Sequence, residues 1–61
     1  MRTIVMKRDV HEVELREVKN RHIQIISCDT LVKEVFGNSL EEVMIKMHTT
    51  LNYDIAGYKE S

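Results

Sequence analysis

The residues that could do chemistry are three histidines (His11, His22, His48), one cysteine (Cys28), and scattered serines and carboxylates. A zinc site uses closely spaced ligand pairs, and no two of His11, His22, Cys28 and His48 stand at such a spacing. Cys28 has no second cysteine to pair with in the chain, which points to a reducing compartment and an inert thiol. Serine, histidine and aspartate all occur, but no serine sits in the strained G-x-S-x-G turn that exposes a nucleophile. Gly37 stands alone, so no glycine-rich loop is present to cradle a phosphate. Glu12 and Glu14 would share one face of a strand as a carboxylate pair, an arrangement that ordinarily marks a solvated surface rather than acid–base work. The expectation is a non-enzyme with no cofactor and no metal.

Sixty-one residues make one domain, and a chain of that size buries only about 60% of the surface its unfolded form exposes. Without disulfide or metal, association with another molecule is the remaining way to complete the core, and a homodimer is expected. Nine basic and ten acidic residues give a net charge of −1, which provides no electrostatic footprint for nucleic acid, so direct nucleic-acid binding is not expected. No apolar run reaches the roughly 18 to 20 residues of a membrane span, and the apolar part of Met1–Arg8 is too short for a secretory signal. No membrane partner and a cytoplasmic location are therefore expected.

The elements that would position these side chains read as an α+β domain of order β-β-(β or short α)-α. Glu12-Val13-Glu14-Leu15-Arg16 alternates with the period of a half-buried strand, and His22-Ile23-Gln24-Ile25-Ile26-Ser27 resumes that period beyond the polar break Lys19-Asn20-Arg21. Residues 10–27 thus form a hairpin. Residues 2–6 are either an edge strand or an ordered arm, with Arg2, Lys7 and Arg8 as edge guards. Residues 29–36 fit a third strand or a short helix, because Leu31, Val32, Val35 and Phe36 also fall on helical spacing. From 39 to 52 the pattern predicts a helix with a capping box, Ser39 with Glu42, and a core stripe of Leu40, Val43, Met44, Met47 and Leu51. This C-terminal amphipathic helix would pack on one face of the small antiparallel sheet. Ile45 lies off the stripe, as scattered surface or as a second contact. Residues 53–61 read as a tail, unless Tyr53 and Tyr58 dock on a partner.

The charge distribution adds a further expectation. Asp9 to Glu17 carries four acids against Arg16, and Asp29 to Glu42 carries four against Lys33. Regularly spaced carboxylates are either a solvated face or stand-ins for phosphates toward a protein that binds DNA.

The run Val35-Phe36-Gly37-Asn38-Ser39-Leu40-Glu41-Glu42-Val43, after a hairpin with a polar turn, resembles the closing segment of the small uracil-DNA glycosylase inhibitors of Bacillus phages. The resemblance covers residues 9 to 52 and implies a homodimeric, DNA-mimicking inhibitor in a host bacterial cytoplasm, its target a DNA-binding enzyme. Under it, Phe36, Glu34, Glu41 and Glu42 would face the partner, with Glu12 and Glu14 behind them. Phe36 stands where that family has tyrosine, and Lys33 where it has a functional glutamate, leaving Glu34 to take the role. The ending Ser39-Leu40-Glu41-Glu42-Val43 is also similar to HicB-like antitoxins, whose glycine-and-aromatic strand pattern is missing between residues 10 and 30. That similarity implies an antitoxin or another small dimeric interaction module.

Overall fold

The computed structural model describes residues Met1–Ser61. Five strands and one helix follow the chain in the order β1 (Arg2–Arg8), β2 (His11–Lys19), β3 (His22–Ser27), β4 (Thr30–Phe36), α1 (Leu40–Leu51) and β5 (Asp54–Glu60). All pairings are antiparallel, and the sheet order is β4-β3-β2-β1-β5. The fold is α+β, with the helix on one face of the sheet. Strands β1 to β4 form a meander, and α1 then carries the chain from the β4 edge back to the far edge, where β5 pairs with β1.

The alternation of β2 explains which face is covered. Ile4 lies opposite Leu15, and Leu15 opposite Ile25, while Met6 lies opposite Val13. These rows meet the helix, and Ile4, Met6, Val13, Leu15, Ile23, Leu40, Val43 and Tyr53 form one buried cluster. The intervening residues form rows on the other face, such as Thr3, Arg16, Gln24 and Glu34, which is open and mostly polar.

Ser39 caps α1 as its sequence predicts: its Oγ accepts from the Glu42 N–H at 3.1 Å, and the Glu42 carboxylate accepts from the Ser39 N–H at 2.8 Å. A cap of this type contributes about 1 kcal/mol. The helix stops at Asn52, whose own N–H still bonds the His48 carbonyl and whose left-handed backbone (φ 60°) turns the next N–H, that of Tyr53, back onto the Met47 carbonyl at 3.2 Å. Leu40 and Val43 are buried and Met44 and Met47 pack against the core, but Leu51, expected on the core stripe, is 44% exposed. The stripe points squarely at the sheet only over its first two turns.

Two expectations are corrected, for residues 2–6 and 53–61, and the open choice between strand and helix for residues 29–36 is resolved. Residues 2–6 are part of β1, which lies in the sheet's interior between β2 and β5, so they are neither an edge strand nor an arm. Residues 30–36 are a strand and not a helix. The apparent helical spacing comes from a bulge: Ile26 pairs with Leu31 and Ile25 with Lys33, which leaves Val32 as the extra residue and puts apolar neighbours side by side. Residues 54–60, expected as a tail, are β5, so the helix does not end the fold. Tyr53 is 9% exposed and belongs to the core rather than to a docking patch. No helix is long and apolar enough to cross a membrane.

Candidate functional site

The helix runs over the sheet with two unlike flanks. Toward β1 and β5 it is fastened by polar contacts. Arg2 donates to both Glu17 oxygens, at 2.9 and 2.8 Å, and also to the Glu41 carboxylate, joining β1, β2 and the first turn of α1. The shared guanidinium holds the carboxyls of Glu17 and Glu41 below their ordinary range and raises Arg2. At the other end Arg8 donates to the Leu51 carbonyl at 2.8 Å and lies over the Tyr53 ring. His48 Nδ1 donates to the Tyr53 carbonyl at 2.7 Å. The Leu51 carbonyl is one of the last of the helix, which have no partner within it and which a cation such as Arg8 satisfies well.

Toward β4 the helix stands clear of the sheet. A groove of about 710 Å³ opens there, floored by Val13 and Ile25 and walled on the helix side by Val43, Met47 and Leu51. Val32, Lys33, Glu34, Val35 and Phe36 all line it. In a strand only alternate residues point to one face, so five in succession mean that the groove reaches over β4 to its free edge. Its rim carries Lys33 and Lys46 against Glu34 and Glu42. Neither lysine has a carboxylate within ion-pair distance.

The residues singled out from the sequence divide among three surfaces. Phe36, Glu34 and Glu42 come together at the groove. Phe36 is 67% exposed and stacks on the His22 ring, with centroids 4.4 Å apart. His22 Nε2 donates to Glu34 at 2.7 Å, and this bond, with a weaker one from Gln24, holds the Glu34 carboxyl below its usual range. Glu42 is lowered chiefly by the Ser39 N–H that it caps, and it also accepts from Arg21 at 3.3 Å. Glu41 lies on the opposite flank, bound to Arg2. Glu12 and Glu14 share a strand face as expected, but it is the face away from the helix, where Glu14 pairs with Arg16 at 3.1 Å and Glu12 stands opposite Lys7. The carboxylates are therefore mostly bound to internal cations and do not form one acidic surface.

The histidines and Cys28 also lie apart. His11 begins β2, His22 begins β3, His48 is in the last turn of α1, and Cys28 is exposed in the β3–β4 turn. Cys28 and Asp29 both take left-handed backbone, at φ 51° and 60°, as a two-residue hairpin turn of this type requires. Sequence reasoning missed the groove, Lys46 and Met47 as its lining, and the bulge at Val32. The adjacent apolar pair Leu31-Val32 inside an otherwise β-prone run was the available signal for that bulge.

Comparison with protein-family models, with curated proteins and with solved structures found no match to this chain.

Proposed function

We propose that the protein is a non-enzymatic interaction module that acts by protein–protein contact through the α1–β4 groove. The observation that carries this reading is the groove itself: an apolar floor and wall beside an unpaired strand edge, with Phe36, Val32 and Leu51 exposed around it. Exposed apolar surface of this kind, rimmed by charge, marks a contact site. Inhibition of a DNA-binding enzyme, with uracil-DNA glycosylase as the concrete target, is the form that the resemblance of residues 35–43 supplies. The balanced rim of two lysines and two glutamates favours the taking-up of an apolar element of the partner over the presentation of this chain's carboxylates as phosphate mimics.

The test compares wild type with Leu51→Lys, in the groove, and Glu12→Gln, on the opposite face. Affinity capture from bacterial extract should give partners that wild type and E12Q retain and L51K loses; identical captures from all three would overturn the reading. A uracil-excision assay with the protein in stoichiometric excess decides the target. Inhibition by wild type but not by L51K assigns the glycosylase, and undiminished excision removes it.

A further inference from the structure

The four charged residues along the groove are not equivalent. Glu34 lies opposite Gln24, on the sheet face away from the helix, and its carboxylate accepts there from His22 and Gln24. Glu42 accepts from the Ser39 N–H that it caps and from Arg21. Both acids are thus engaged by groups that do not line the groove. The lysines have no such partners. Glu42 stands four residues before Lys46, the favoured order for a helical ion pair, yet its carboxylate is turned to the cap and to Arg21 instead. Lys33 lies opposite Ile25, and the one acid of β4, Glu34, is on the other face of the strand. Lys33 from β4 and Lys46 from α1 therefore stand on opposite walls over the floor of Val13 and Ile25. Charges of one sign beside low-dielectric walls concentrate their field in the cleft between them.

We infer that the segment which the groove takes up from its partner is acidic as well as apolar. A row of apolar side chains would rest on Val13, Ile25, Val43 and Met47, with a carboxylate on each flank, one toward Lys33 and one toward Lys46. The walls set the length of that segment. Val32–Phe36 forms one wall and Glu42–Leu51 the other, and at about 3.3 Å per strand residue and about 1.5 Å per helical residue each runs about 13 Å. The apolar stripe of a helix of about nine residues, at i, i+3, i+4 and i+7, spans that distance. A basic segment would meet both lysines and no free acid.

This inference rests on reading the groove as a contact surface, and selection of random peptides of about twelve residues, a little longer than the groove, tests the two separately. Peptides displayed on phage that bind wild type but not Leu51→Asn, a neutral change that removes apolar surface, report on the groove. Asp and Glu should be enriched about twofold or more beside their apolar positions, and selection on K33E/K46E should turn the preference to Lys and Arg. In solution, anisotropy of a labelled acidic binder should show affinity about three- to tenfold weaker for K33Q/K46Q than for wild type. Both lysines are exposed and hold no ion pair, so these variants should fold as wild type does. Salt gives an answer that depends on no variant: binding to wild type should weaken between about 0.05 and 0.5 M salt. Leu51-dependent binders with no preference for acids, or affinities indifferent to salt, would overturn the inference and leave the groove as a contact site. Decanoate that outcompetes every selected peptide at equal concentration would give the groove to a free amphiphile and overturn it as well. No Leu51-dependent binder at all would remove the groove reading itself.

Discussion

The two flanks of α1 face the same sheet and are joined to it in opposite ways. On the β1–β5 side Arg2 ties two strands and the helix start together, while Arg8 and His48 engage the backbone about the helix end. On the β4 side no hydrogen bond joins a helix side chain to β4, and the polar groups nearest the helix start bind the β2–β3 turn through Arg21. The difference separates what holds the helix in place from what it presents. A flank sealed by ion pairs leaves little for a partner to displace, whereas an apolar wall with unpaired lysines has free energy to gain from being covered.

The strongest way to break this comparison is at the two ends of the helix stripe. Leu40 is fully buried against the sheet and Leu51 is 44% exposed on the groove. Leu40→Ala should lower stability by about 2–5 kcal/mol, the usual range for truncating a buried leucine, while Leu51→Ala should change it by about 0.5 kcal/mol or less. Urea unfolding of both variants at low concentration measures the contrast. Equal losses would mean that the groove wall belongs to the core and is not a surface at rest.

A smaller effect tests the sealed flank. Arg2→Met keeps most of the apolar stem and removes the guanidinium shared by Glu17 and Glu41. Both carboxyls are held below their ordinary value of 4.5 in the folded protein, so their contribution is fully present above about that pH and is lost as pH falls through the folded values. The variant should be less stable than wild type at neutral pH, and the gap should close as pH falls below 4.5. Water on the exposed side of the cluster screens it, which places the loss below that of Leu40→Ala. Thermal unfolding of the two proteins as a function of pH reads it, and a gap that stays constant through the acid range would mean that Arg2 acts only by packing.

The sealed flank could not be read from the sequence, because its partners are separated by 15 and 39 positions and only the fold brings them together. The hairpin of residues 10–27 and the capped start of α1 were legible because their signals are local: period-2 alternation in Val13 and Leu15, and Ser39 three residues before Glu42. β4 was ambiguous since its bulge disrupts the very period that identifies a strand. β5 was invisible for a different reason. Asp54-Ile55-Ala56-Gly57-Tyr58-Lys59-Glu60 has little strand propensity of its own, and its order comes from pairing along β1. Of the candidate site, Phe36, Glu34, Glu41 and Glu42 were singled out together from the resemblance, and Phe36, Glu34 and Glu42 meet at the groove while Glu41 does not. Glu12 and Glu14 were added as acidic residues of a strand, and charge carries no information about which face of a sheet a residue occupies.

The smallest expected effect is the sharpest test of the open flank. Lys46 lies on the groove rim with no carboxylate in ion-pair range, so Lys46→Gln removes a charge that stabilises nothing within one chain. In dilute protein its stability should stay within about 0.5 kcal/mol of wild type, as for surface substitutions away from any special contact. The outcome changes if a second copy covers the groove, as expected for so short a chain, because the lysine would then lie in the contact and its loss would weaken association without touching the fold. Thermal unfolding of wild type and K46Q at low and at high protein concentration separates the two situations: coincident transitions when dilute, and a lower transition for the variant only when concentrated. A deficit of the same size at both concentrations would place Lys46 in an intrachain contact, and the contrast between a fastened and an open flank would be lost.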